Sequence, residues 1–150
     1  MSGMEYALLE AEKALAEGEV PVGAALMRGA ELLWADHNRR EQSQDPTAHA
    51  EMLCLRAASA KGNWRLSECT LYVTLEPCPM CAGALVMSRI GSVVYGAPDP
   101  EKGCCGSVYD FPADPAFASE TRWISGERES ECALLLSAFF RARRLPGNSR

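Results

Sequence analysis

Apolar residues at Met4, Ala7, Leu8, Ala11, Ala14 and Leu15 recur three and four apart, the period of one helix face. They predict a first amphipathic helix, closed by Gly18. The period then changes. Val20–Met27 and Leu32–Asp36 read as two strands joined by a turn at Arg28-Gly29-Ala30. A second helix is predicted over Ala48–Lys61, ended by Gly62. Thr70–Leu75 is β-branched and aromatic, which predicts a buried strand. Cys78–Arg89 reads as a third helix and Ser92–Gly96 as a short strand. From Ala97 to about Glu120 the chain is rich in Gly, Pro and Asp and predicts a loop with a helical turn. Thr121–Ile124 reads as a last strand, and Cys132, Leu135, Leu136, Phe139 and Phe140 mark a final amphipathic helix. Strands alternating with helices imply parallel strands, right-handed crossovers and helices on both sheet faces. The opening hairpin makes the sheet mixed, so the fold class is α/β.

Composition narrows this picture. A chain of 150 residues, 47% apolar and 23% charged, is expected to form one soluble domain over residues 1–150. No apolar run approaches the roughly 18 residues of a membrane span, so no membrane partner is expected. The N-terminus has no basic segment ahead of an apolar one, and Glu10, Glu12 and Lys13 follow; a cytoplasmic location is expected. Seven cysteines, an odd number without an export signal, argue against a disulfide framework and leave thiols free for metal. Cys54 and Cys132 fall within apolar helical patterns as small core residues. Cys104 and Cys105 lie in a Gly-flanked turn without an assigned role. The net charge of −5 does not by itself suggest nucleic acid. Arg141, Arg143, Arg144 and Arg150 nevertheless crowd the C-terminus, which suits the negative end of a helix dipole or an RNA contact.

Two short motifs carry the chemistry: Thr47-Ala48-His49-Ala50-Glu51 and Glu76-Pro77-Cys78-Pro79-Met80-Cys81. Each precedes or opens a predicted helix. Residues three apart share one side of a helix, so Cys78 and Cys81 can grip one ion, and the helix N-terminus favours their thiolate forms. One such pair is too few for a closed four-cysteine site. His49 with two thiolates makes three protein ligands and leaves a fourth position open for water, the arrangement of a catalytic zinc. Glu51 is the carboxylate placed to shuttle protons without binding the metal. Glu76, the other nearby acid, is read as structural, ending the strand and holding backbone at the helix start. A histidine, one residue, a glutamate, and later Pro-Cys-x-x-Cys is the signature of zinc deaminases acting on nucleobases. Here 29 positions separate His49 from Cys78.

The likeness extends further. Gly18–Ala24, His37–Arg40, Asp45–Met52, Gly62–Leu66, Thr70–Ile90, Val94–Ala97 and Phe139–Arg144 all resemble the bacterial tRNA-specific adenosine deaminases, which convert the wobble adenosine of an anticodon to inosine. The resemblance implies a three-layer α/β/α, cytidine deaminase-like fold with a mixed five-stranded sheet. It implies one Zn2+ per subunit on His49, Cys78 and Cys81, with Glu51 as proton shuttle for a zinc-activated water. It places a base-contacting amide at Asn38 and pocket walls at Pro21, Val22 and Ala50. Asp99 falls near the RNA backbone, and Phe140 and Arg144 fall on a final helix over the flipped anticodon nucleotides. The implied partners are a tRNA anticodon stem-loop and a second copy of the chain, both subunits contacting tRNA. Where the family carries an Asn-His-Arg run, this chain reads Ala118-Ser119-Glu120-Thr121-Arg122. That change motivates an alternative, a deaminase of a free base or nucleoside of the guanine or cytosine type. A zinc-stabilised non-enzymatic subunit is a further alternative that Glu51 argues against, and a thiol-redox protein is another. Asn38 has a plainer reading as the cap of a turn, and His37 as a surface or packing residue.

Overall fold

The computed structural model describes residues 1–117 and 119–143. In chain order the elements are α1 (Gly3–Ala16), β1 (Gly23–Arg28), β2 (Glu31–His37), α2 (Arg40–Ser43), α3 (Ala50–Ala60), β3 (Thr70–Leu75), α4 (Pro79–Met87), β4 (Ser92–Ala97), β5 (Arg122–Ser125) and α5 (Glu129–Arg143). Two short 3-10 turns, Phe111–Ala113 and Pro115–Phe117, lie in the long connection before β5.

The strands form one mixed sheet in the order β2-β1-β3-β4-β5. β1 runs antiparallel to both β2 and β3, while β3, β4 and β5 are parallel to their neighbours. Alternation along the strands divides the core between the two faces. Ala24, Leu26, Leu71, Val73, Val93 and Tyr95 pack with Ala50, Cys54, Leu55, Ala58 and Leu85 of α3 and α4. Ala25 and Val94 pack on the opposite side with Met4, Ala7 and Leu8 of α1 and Cys132 of α5. This is the three-layer α/β/α arrangement. At Gly23 an added Cβ would lie 2.0 Å from the Ala7 carbonyl oxygen, so only glycine lets α1 settle on β1 this closely.

Most element ends fall within one or two residues of the sequence reading; the starts of β1 and of the third helix, and one extra helix, have local reasons. β1 begins at Gly23 rather than Val20. Pro21 has no N–H to give a ladder, and Val22 N donates to Val20 O at 2.9 Å, which turns the chain. The third helix starts at Pro79, with Cys78 as its N-cap, because Pro is preorganised for the first helical position. The short helix α2 was not expected. Its first-turn N–H groups, Glu41 N and Gln42 N, donate to the Glu19 carboxylate at 3.0 and 2.7 Å, so the cap comes from a residue more than twenty positions away. No helix among the described residues is long and apolar enough to cross a membrane.

Candidate active site

The C-terminal end of β3 and the N-termini of α3 and α4 converge. His49 is the N-cap of α3 and Cys78 the N-cap of α4, and neither makes a side-chain capping bond. Glu51 sits in the first turn of α3 and Cys81 in the first turn of α4. His49 Nδ1 lies 3.6 Å from Cys78 Sγ and 3.6 Å from Cys81 Sγ. All three donor atoms lie within 4.8 Å of one another. Two donors at zinc bond lengths of about 2.3 and 2.0 Å, at the tetrahedral angle, stand about 3.5 Å apart. One imidazole and two thiols at this spacing fit a zinc ion.

Charges in the cluster are shared. The hydrogen bond from Cys81, followed by those with His49, brings the Cys78 thiol down to about 4. Its bond to Cys78, together with burial, pushes the Cys81 thiol up. The Cys78 hydrogen bond raises His49. In effect one thiolate is stabilised by two proton donors, and a dication would replace those protons and hold both sulfurs as thiolates. Burial raises the Glu51 carboxyl above the usual carboxylate range, against the opposing pull of its own backbone N–H and of His49. A buried carboxyl held above its ordinary range beside a metal-binding cluster is suited to accept and return protons.

A cavity of about 110 Å3 opens over this cluster. It is lined by Val20, Val22, Asn38, Arg40, His49, Ala50, Glu51, Leu75, Glu76, Cys78, Asp99 and Lys102. Ligand pockets for drug-sized molecules start at about 300 Å3, so this space suits a single ring system. Of the expected substrate residues, Asn38, Val22, Ala50 and Asp99 line it. Pro21 is fully buried and is not among the lining residues. Phe140 lines an adjoining groove of about 790 Å3 that shares Val20, Leu75 and Asp99 with the cavity. Arg144 lies outside the described residues. The sequence reading missed Val20, Arg40, Leu75 and Lys102 as cavity residues. Arg40 had a signal, since it stands two residues after Asn38 and its backbone N–H donates to Asn38 Oδ1 at 3.1 Å.

Asn38 is both a turn cap and a cavity residue. Besides accepting from Arg40 N, it donates from Nδ2 to Val20 O at 3.2 Å, and its backbone N–H donates to Val22 O at 2.9 Å. One amide hydrogen and one oxygen lone pair remain for a ligand. Glu76 is structural, but in a different sense from the one expected. Its buried carboxylate accepts from Asp99 N at 3.0 Å, Cys105 N at 2.9 Å and Ser107 N at 3.1 Å, and from the Ser107 hydroxyl. It therefore organises the loop after β4, which carries Asp99 and Lys102, rather than the start of α4. Burial alone would raise the Glu76 carboxyl, but these donors more than offset it and hold it below its ordinary value.

Residues 2–97 match the cytidine and deoxycytidylate deaminase zinc-binding region. A tRNA-specific adenosine deaminase of Bacillus subtilis (strain 168) is 50% identical over 142 residues, spanning 94% of this chain and 88% of the relative. A solved structure from work on A-to-I editing by tRNA:A34 deaminases at the wobble position superposes with a TM-score of 0.85. It is 42% identical and covers 89% of this chain and 98% of that one. A guanine deaminase from Nitrosomonas europaea superposes with a TM-score of 0.76 at 25% identity, covering 91% of this chain and 82% of that one.

Proposed function

The chain belongs to the cytidine and deoxycytidylate deaminase zinc-binding family, among its tRNA-specific adenosine deaminases, and on that premise we propose that it converts adenosine 34 of a tRNA anticodon to inosine. The observation that carries the site assignment is the placing of His49 Nδ1 at 3.6 Å from two cysteine sulfurs, in one cavity with a buried Glu51.

The reaction replaces the C6–N bond of adenine by a C6–O bond, releasing ammonia. Of the two protons of the consumed water, one ends on N1 of the product and the other on ammonia. His49, Cys78 and Cys81 would hold a zinc ion, which when bound would bring the ionisation of a water close to neutral pH. Glu51 takes one proton from the attacking water and delivers it to N1, then takes the second from the new C6 hydroxyl and gives it to the departing amine. Its raised carboxyl matches both halves of the task. Val22 and Ala50 form apolar walls against the faces of the ring, and the free hydrogen and lone pair of Asn38 read its edge. Asp99 stands where the cavity meets the groove lined by Phe140, which receives the flanking nucleotides.

The working unit in this proposal is a homodimer acting in the cytoplasm. An exposed apolar set supports it: Trp64, Met87 and Phe117 are 54%, 76% and 37% exposed and line one groove, a surface that a second copy would cover. The test is incubation of the zinc-loaded protein with an anticodon stem-loop bearing adenosine 34, and in parallel with free guanine, cytosine and adenosine. Inosine in the stem-loop is the expected product. Consumption of a free base with every stem-loop unchanged would overturn the tRNA reading in favour of a free-base deaminase. Sedimentation at micromolar concentration should give twice the mass of the chain, and a monomer would overturn the dimer.

A further inference from the structure

Asn38 follows the last residue of β2, and its neighbour His37 is 2% exposed. Successive residues of a strand point to opposite faces. His37 faces α1, where Glu10 Oε1 lies 2.9 Å from Nδ1, and Glu17 Oε1 lies 2.8 Å from Nε2. Each ring nitrogen of His37 thus meets a carboxylate oxygen. His37 is not among the residues lining the cavity, so any influence on a bound base is indirect, and its chain neighbour Asn38 is the lining residue next to it.

The partners of His37 lead back to the same segment. Glu17 also accepts from Gln42 Nε2 at 2.7 Å, and Glu19, 1% exposed, holds Glu41 N and Gln42 N. The hydrogen bonds from Gln42 and then His37 keep the Glu17 carboxyl below its ordinary value. Asp36, Arg39 and Lys13 complete the charged surroundings: Arg39 pairs with Asp36 at 2.8 Å, and Lys13 with Glu10 at 2.6 Å. The anchors that Asn38 uses directly, Val20 O, Val22 O and Arg40 N, belong to the α1–β1 loop and to the start of α2. The carboxylates of residues 17 and 19 tie the beginning of that loop to α2. His37 ties Glu17, at the head of the loop, to Glu10 of α1.

We propose that His37, clamped between Glu10 and Glu17, is a positioning residue that fixes the Asn38 amide at the edge of the bound base. This rests on the reading of Asn38 as the base contact. A displaced amide loses an interaction made equally with bound substrate and transition state, which raises KM and leaves kcat alone.

The experiment uses the full zinc-loaded chain and the adenosine 34 stem-loop. Six variants are compared: Asn38→Ala, His37→Phe, Glu17→Ala, Glu17→Gln, and the doubles of His37→Phe and of Glu17→Ala with Asn38→Ala. His37→Phe keeps a flat ring and donates neither bond. If it fails to fold, Glu17→Ala, on a half-exposed residue, carries the test together with its own Asn38→Ala double. Asn38→Ala should raise KM by about tenfold, and His37→Phe and Glu17→Ala by about three- to tenfold, with kcat within about twofold of the parent. Each double should be no worse than Asn38→Ala alone, because residues acting through one contact are not additive. Glu17→Gln, which keeps a carbonyl acceptor for both donors, should restore KM. Additive doubles, or a loss in kcat at constant KM, would overturn the positioning role while leaving Asn38 in place. An unchanged KM in Asn38→Ala would instead remove the base contact itself, and the proposal with it.

Discussion

Replacing Glu76 with Ala tests how the loop that carries Asp99 and Lys102 is held. The carboxylate accepts four hydrogen bonds from residues 99, 105 and 107. After truncation, Asp99 N and Ser107 N lie near enough to the surface to find water, whereas Cys105, 9% exposed, keeps a buried N–H with no acceptor. One buried unsatisfied donor costs about 1–3 kcal/mol, and the charge-assisted bonds lost with it contribute about 1.5–3 kcal/mol more. Because the four bonds share one carboxylate, they do not sum, and about 3 kcal/mol is expected. For a chain of this length that lowers Tm by about 6–12 °C. Gly103→Ala attacks the same contact from the other side, since its Cβ would lie 2.4 Å from Glu76 Cδ. Thermal unfolding followed by circular dichroism reads both variants, and stem-loop kinetics should show a raised KM in both. A Tm for Glu76→Ala within about 2 °C of the parent would refute the reasoning, because the loop would then be held by something else.

The remaining predictions concern proton transfer, metal and pH. Glu51→Gln should retain zinc and fold but lose about 10²–10⁴-fold in kcat on the stem-loop, and full activity would remove Glu51 from the mechanism. Chelation should abolish activity and lower Tm, and zinc should restore both; metal analysis of the restored protein should give one zinc per chain. Because the Glu76 carboxyl is held below its ordinary value of 4.5, its stabilising contribution is complete above that pH and is lost as pH falls through the lowered folded value. Unfolding titrations should therefore show acid sensitivity that Glu76→Ala lacks, and parallel curves for the two proteins would contradict it. Gly23→Ala, with its Cβ 2.0 Å from Ala7 O, should destabilise the chain strongly in denaturant titrations.

Much of the fold was legible because its periods are clean. Met4 through Leu15 carries one unbroken helical period and Thr70–Leu75 an unbroken run of strand-forming residues, and both elements stand where the pattern put them. The metal cluster was legible because each motif is local: His49 and Glu51 share one helical turn, as do Cys78 and Cys81, so spacing alone orients each pair. Features assembled across long separations were not. The cap of α2 comes from Glu19, the partners of His37 from α1, and the four donors to Glu76 from residues 99–107. No period or dipeptide announces a carboxylate that serves a backbone twenty or thirty residues away. Val20 and Lys102 escaped for the same reason, since their places on the cavity wall depend on where two loops meet.

The uncapped starts of α3 and α4 have a consequence for how the protein is loaded. At each, the position that would usually hold a serine or aspartate to close the helix holds a metal donor instead. A side chain that caps is worth about 1 kcal/mol per helix, and here that stabilisation is forgone at two adjoining ends. These turns should therefore fray in the metal-free chain and become ordered together when the ion arrives. Amide exchange at residues 50–53 and 79–82 would then report loading directly, without any substrate. A cap introduced for thermal stability at either position would remove a donor, so at these two turns stability and chemistry compete for the same residue.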